Sequence, residues 1–383
     1  MSLQTLAGKQ IVIGVTGSIA AVELVKIIHA LRRRGAEVRT VMSPAAAGII
    51  APDALTYASG HETITRISGL VEHVIFCGDE GTADLLLIAP CTANTLSKIA
   101  CGIDDTPVTT FATTALGSGT PVIIVPAMHH SMYRHRALTE NIRRLQEWGV
   151  DVMEPRIEEG KAKMPGMEEI VLWCERAVLG RPLAGKRVLI TSGPCREPVD
   201  DVRILTTRST GLMGRALALE AFRLGADVTV VHRDTFPCIT NIPVDTADEM
   251  FNAVLEQLAL MNGTDLYISA AAISDFAPKI VDGKIPSGKP AAIELEPLPK
   301  LLTEVIMRFH PVTIAFKLGR TPENAARRML GEGVTMVLMN PPETMGSSEG
   351  KYILLDASGR TGLDGTKEEI ASRILEKLIQ NQT

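Results

Sequence analysis

The chain has 383 residues, 45% hydrophobic and 22% charged, with a formal net charge of −5. That length suits two domains with separate cores, and the acidic balance offers no basic field for nucleic acid. No apolar run reaches membrane-spanning length, the opening MSLQTLAGKQIVIG lacks a signal-peptide layout, and six scattered cysteines (Cys77, Cys91, Cys101, Cys174, Cys195, Cys238) suit reduced thiols in a cytoplasm.

The first predicted unit is GKQIVIGVTGSIAAVELVKIIHALRRRGAEVRTVMS, from Gly8 to Ser43. A β-branched run ends at a glycine turn, a helix follows at 3.6-residue spacing, and a second strand closes the unit. This is a βαβ pattern and implies a parallel sheet. Further strands are DLLLIAP and PVIIVPA. Ligands of open parallel sheets bind beyond the carboxyl ends of strands, so the candidate turns are TGSIA, APCTANTLSK and PAMHHSMY. Gly17 and Ser18 offer a helix start to an anionic phosphate, although a plain N-cap accounts for Ser18 equally well. Thr92, Asn94 and Thr95 are short hydrogen-bonding groups for a phosphate or a flavin ring, or the cap of a helix. The adjacent His129 and His130 make a poor metal pair, because neighbouring side chains diverge and zinc ligands sit at wider spacing.

The chain restarts at GKRVLITSGP, from Gly185, and continues into GLMGRALALEAFRLGADVTVVH. The segment CREPVDDVRILTTRST is inserted between strand and helix. The restart and the Pro-containing LGRPLAGK place a domain boundary near residue 183, giving domains 1–183 and 184–383. The fold class expected is α/β, with two Rossmann-like domains and mostly parallel sheets.

Three stretches, GVTGSIAAVELVK, ADLLLIAPCTANTLSKIACGIDDT and PAMHHSMY, resemble the flavin-dependent cysteine decarboxylases. The whole chain resembles the bifunctional flavoprotein family of coenzyme A biosynthesis, in which phosphopantothenoylcysteine decarboxylase is fused to phosphopantothenate–cysteine ligase. The resemblance implies FMN held by Gly17, Ser18, Ile19, Ser43, Thr92, Asn94 and Thr95. It makes His73, in VEHVIFCGDE, the catalytic histidine. An imidazole can accept the thiol proton as a cysteinyl group is oxidised. The family turn reads Pro-x-Met-Asn-x-x-Met, with the Asn on the substrate carboxylate. Pro126, Met128 and Met132 match, and His129 replaces the Asn, keeping a hydrogen-bond donor there. A clamp segment, PRIEEGKAKMPGMEEI, retains Gly160, Lys163 and Met164 but lacks the family's cysteine. Met128, Met132, Lys163 and Met164 are thus expected at the substrate.

The second half, ITSGPCREPVDDVRILTTRSTGLMG, resembles the ligase domain. Ser209, Gly211, Met213 and Gly214 match, Cys195 replaces a Thr, and Thr207 stands for an Asn. In LYISAAAISDFAPKIVDGKIPSGK the resemblance implies that Asp275 binds the nucleotide or places Mg2+. Lys284 neutralises departing pyrophosphate, and Lys289 lies past Pro286. Phe316 in TIAFKLGR and Asn340 in VLMNPP complete the expected substrate site. The implied reactants are 4′-phosphopantothenate, cysteine and CTP, with CTP rather than ATP resting on the resemblance alone. The implied assembly is a homo-oligomer, because FMN sites of this family form between subunits. Two other readings stay open: a flavin-binding homologue that lost one activity, kept open by His129 and the missing clamp cysteine, and an NAD(P)-dependent reductase. The reductase lacks both a full glycine fingerprint and an acidic residue placed on a ribose.

Overall fold

The computed structural model describes residues 3–260, 264–288, 290–320 and 322–382; Lys289 lies outside them. The chain divides into two compact units, Met1–Gly180 and Arg181–Thr383.

The first unit contains strands β1 (Gln10–Val15), β2 (Glu37–Met42), β3 (Leu85–Cys91), β4 (Val122–Pro126), β5 (Met128–His129), β6 (Asp151–Val152), β7 (Arg156–Glu158) and β8 (Lys161–Lys163). Five of them form a parallel sheet in the order β2-β1-β3-β4-β6. Alternate residues point to opposite faces of a strand, and here both faces are covered. Ile11, Ile13, Val15, Leu85, Leu87, Ile123 and Val125 enter one core, while Val12, Leu86, Ile88, Val122 and Ile124 enter another. That double burial explains why these strands read as continuous apolar runs. The remaining strands form a small antiparallel sheet, β5-β8-β7.

The second unit contains β9 (Arg187–Thr191), β10 (Arg196–Pro198), β11 (Ile204–Thr206), β12 (Asp227–His232), β13 (Thr240–Pro243), β14 (Leu266–Ser269), β15 (Phe276–Pro278), β16 (Leu295–Pro297), β17 (Val312–Leu318), β18 (Met336–Asn340), β19 (Glu349–Asp356) and β20 (Gly359–Thr366). Its main sheet runs β13-β12-β9-β14-β17-β18-β19-β20. The first six strands are parallel and the last two antiparallel. Both units are therefore Rossmann-like α/β layers. In each, the strand order reverses beside the first strand of the unit, between β1 and β3 and between β9 and β14. Crevices at such reversals are where doubly wound sheets bind ligands.

Candidate functional site

In the first unit the reversal is tied shut by Thr16. Its hydroxyl donates to the Pro90 carbonyl at 2.7 Å and accepts from the Thr92 N–H at 2.9 Å. The turns after β1 and β3 are thereby held side by side. A cavity of about 870 Å³ opens against them, a size ordinary for a small-molecule site. Its wall gathers residues from distant parts of the chain: Gly17, Ser18 and Ile19 from the first turn, Thr92 from the second, Met128, His129 and Met132 from the turn after β4, and Lys163 and Met164 from the clamp segment.

Gly17 is required by packing, since a Cβ there would lie 2.6 Å from Ala45 Cβ. Ser18 occupies an N-cap position, yet its side chain makes no cap bond, which leaves the hydroxyl for a ligand. Thr92 caps the Ala93–Ala100 helix by accepting from the Thr95 N–H. Thr95 is buried in that cap, and Ser43 is likewise buried, accepting from the Ala46 N–H at 3.3 Å. Neither lines the cavity, nor does the exposed Asn94. The cavity volume, the glycine turn and the uncommitted Ser18 hydroxyl together fit a phosphate-bearing flavin.

His73 also stands outside the cavity wall. It lies on the short Glu72–Cys77 helix, whose start is pinned where the Ser68 hydroxyl and N–H both donate to Glu72. The Ser68 hydroxyl, the larger influence, and its N–H hold the Glu72 carboxyl below its usual range. The His73 ring meets Phe111 edge-on at 6.4 Å, and its Nδ1 is buried without a hydrogen-bond partner. Leu70, Val71, Val74 and Ile75 beside it are exposed.

The small antiparallel sheet is the feature the sequence reading missed. It pairs Met128 with Ala162 and His129 with Lys161, so the clamp is hydrogen-bonded to the two-histidine turn. Lys26 and Lys161 join the cavity wall unforeseen. The alternation in GKAK was the available signal, because it sets Lys161 and Lys163 on one face of a strand. No cysteine lines the cavity. Cys77, Cys91 and Cys174 are buried, and burial pushes the Cys77 thiol up to about 12.

In the second unit the Ser192–Gly193 turn faces the segment after β14: Ala270 N–H donates to Thr191 at 3.1 Å and Ala272 N–H to Gly193 at 2.9 Å. Gly214 packs directly on this turn. A Cβ there would sit 2.5 Å from Ser192 Cβ and closer still to its Oγ. Gly211, also buried, is the N-cap of the Leu212–Arg223 helix, whose first turn contains Gly214, and Thr207 and Ser209 accept from nearby backbone N–H groups. Asp275 and Lys284 are exposed on the following loop. That loop is tethered to the inserted segment by buried Asp200, which accepts from the N–H groups of Val202, Arg203 and Ile285 at 2.9, 2.7 and 3.0 Å and pairs with the Arg203 guanidinium. The Ile285 N–H is the largest influence holding the Asp200 carboxyl at about 2. Phe316 meets Tyr352 edge-on at 6.3 Å, and the Asn340 amide donates to Thr344 Oγ1 at 2.7 Å. Among the described residues no group of three or more His, Cys, Asp or Glu could hold a metal. Asp275 can therefore contribute to Mg2+ only alongside a nucleotide's own phosphates.

Residues 1–178 match the flavoprotein family, and residues 183–382 match the DNA/pantothenate metabolism flavoprotein C-terminal domain. The chain is 44% identical to the coenzyme A biosynthesis bifunctional protein CoaBC of Thermococcus kodakarensis, covering 97% of this chain and 95% of that one. The chain belongs to the CoaBC family. Other CoaBC relatives include that of Methanocaldococcus jannaschii, 34% identical over 97% of this chain and 94% of its own. That of Vibrio vulnificus (strain YJ016) is 37% identical over 73% and 71%. In this CoaBC family member the flavoprotein half thus carries the cavity and the C-terminal half the Asp200-tethered loop. No helix among the described residues is long and apolar enough to cross a membrane.

Proposed function

We propose that the chain catalyses two consecutive reactions of coenzyme A biosynthesis. The second unit joins 4′-phosphopantothenate to cysteine using CTP, and the first decarboxylates the resulting 4′-phosphopantothenoylcysteine to 4′-phosphopantetheine using FMN. The observation that carries this reading is the meeting of the Gly17–Ile19 turn, Thr92 and Met128–His129 in one cavity, on a chain similar to bifunctional relatives over nearly its whole length.

When bound, FMN supplies reversible two-electron chemistry at the cysteinyl side chain. Gly17, Ser18, Ile19 and Thr92 would hold it at its phosphate. His129 donates a hydrogen bond to the substrate carboxylate, and Met128 and Met132 pack on the chain behind it. His73 accepts the thiol proton. Because His73 lies outside the cavity among exposed apolar side chains, we infer that it serves the cavity of a second copy. The assembly is then a homo-oligomer with shared sites.

In the ligase reaction a carboxylate becomes an electrophile only once its oxygen is part of a leaving group. Attack of that carboxylate on CTP makes an acyl-cytidylate and expels pyrophosphate. Lys284 neutralises the charge developing on the leaving phosphates, with Asp275 and Mg2+ on the nucleotide. The Thr207–Gly211 turn, Gly214, Phe316 and Asn340 shape the surrounding pocket. The cysteine amine then displaces CMP. The free thiols suit a reducing cytoplasm.

The test supplies the purified chain with phosphopantothenate, cysteine, CTP and Mg2+, with and without added FMN. Pyrophosphate should form in both cases, and CO2 only when FMN is bound. Absence of pyrophosphate would remove the ligase assignment, and absence of CO2 from FMN-loaded protein the decarboxylase one.

A further inference from the structure

We propose that Lys161 binds the substrate carboxylate together with His129, selecting for the acid at the expense of its rate of loss; this rests on the decarboxylase reading above.

The register carries the argument. His129 lies opposite Lys161, and the His130 N–H donates to the Gly160 carbonyl at 3.1 Å. That bond joins the residue after His129 to the residue before Lys161, which makes His129 and Lys161 a non-hydrogen-bonded pair. In such pairs the Cα atoms approach to about 4.5 Å and the side chains share one face at close range. Both residues line the cavity.

Charge then singles out Lys161 within the clamp. The neighbouring Lys163 is committed, with Glu158 at 3.2 Å and Glu159 at 3.0 Å. Those carboxylates, Glu159 first, hold its ammonium above the usual lysine range. Arg156 reaches Glu158 at 3.6 Å and donates to the Met164 carbonyl at 3.2 Å. Lys161 has no carboxylate within 4.0 Å among the described residues. Glu158 stands opposite it in the β7-β8 register and its charge acts on Glu159, yet neither carboxylate reaches contact distance, so its ammonium keeps its reach beside the hydrogen-bond donor assigned to the reacting carboxylate.

The sign of its kinetic effect follows. A cation on the carboxylate stabilises the bound substrate more than a transition state whose charge is dispersing into CO2. Such an interaction strengthens binding without speeding chemistry. Lys161→Met should therefore raise KM for phosphopantothenoylcysteine roughly 2- to 5-fold, the scale of an exposed ion pair. Its kcat should hold or rise, and Lys161→Arg should resemble the parent.

The experiment measures binding as well as turnover on the full FMN-loaded chain. One probe is the serine analogue of the substrate, which keeps carboxylate and phosphate but has no thiol to oxidise. The other is 4′-phosphopantetheine, which keeps the phosphate and lacks the carboxylate. Lys161→Met should weaken the serine analogue and leave phosphopantetheine unchanged. Unchanged binding of both, equal weakening of both, or a fall in kcat at constant KM would each overturn the assignment. If the parent chain releases no CO2 and does not bind the serine analogue, the decarboxylase reading itself fails. Parent turnover with an indifferent Lys161→Met variant overturns only the role of Lys161.

Discussion

His73 is an imidazole with one nitrogen buried and unpartnered, its ring edge-on to Phe111. A proton acceptor of this kind contributes about 10²- to 10⁴-fold when it acts as general base. His73→Asn should reduce CO2 release by that order while FMN absorbance and pyrophosphate formation stay unchanged; undiminished CO2 release would remove His73 from the chemistry. Asp200 is the corresponding residue of the second unit, acting through backbone rather than on substrate. Its carboxylate receives the Ile285 N–H next to Lys284. Asp200→Asn replaces an anionic acceptor of several donors by a neutral amide, so pyrophosphate formation should fall about tenfold or more, with CO2 release from added phosphopantothenoylcysteine intact. The pH dependence has a definite sign. The folded carboxyl titrates at about 2 against an ordinary 3.8, so its stabilisation is complete above the ordinary value. It is lost as pH falls from about 4 towards 2. Pepsin cleavage of the 279–288 segment should rise across that window and not above it.

Among the elements, the strands were legible from periodicity, because burial on both faces leaves uninterrupted apolar runs such as Leu85–Cys91. The β5-β8 pairing was not legible. Two-residue and three-residue strands carry too little alternation to mark a register, and the partners His129 and Lys161 lie far apart in sequence. In the sequence the Gly211–Gly214 segment stands out only by its match to the ligase domain. The structure adds a packing reason: Gly214 lies against Ser192, where no Cβ fits. Gly214→Ala should destabilise the second unit by about 1–3 kcal/mol through overpacking and lower its unfolding temperature. Pairing it with Ser192→Gly should recover much of the loss. A Gly214→Ala chain as stable as the parent would show that the turn yields freely.

At the scale of the molecule, the exposed Leu70, Val71, Val74 and Ile75 flank His73, the expected proton acceptor of the decarboxylase half, which does not line the cavity. Joint replacement of Leu70 and Val74 by Asp should reduce the oligomer size in sedimentation and abolish CO2 release while leaving pyrophosphate formation. A variant of reduced size with full CO2 release would mean that one copy suffices. The division at Gly180–Arg181 leads to a second expectation. Residues 1 to about 183 should bind FMN when expressed alone, and the remainder should release pyrophosphate from CTP and phosphopantothenate. A folded C-terminal fragment without that activity would contradict the ligase assignment.

The repeated βαβ pattern, the two Rossmann-like α/β units and the family were determined by local sequence. Side-chain periodicity follows directly from helix and strand geometry, and the glycine turns sit at fixed places within that pattern. Tertiary structure alone decided which of the expected residues share a wall. Gly17, Thr92 and His129 converge because parallel strands deliver their carboxyl ends to one edge. Thr95 and Ser43 turn inward because caps use their hydroxyls first. Lys161 reaches the cavity because a hairpin folds back onto a two-residue strand. Asp200 steadies Lys284 from some 80 residues away. Convergence of this kind depends on closing long loops against one sheet, a property of the folded chain that no window of its sequence contains.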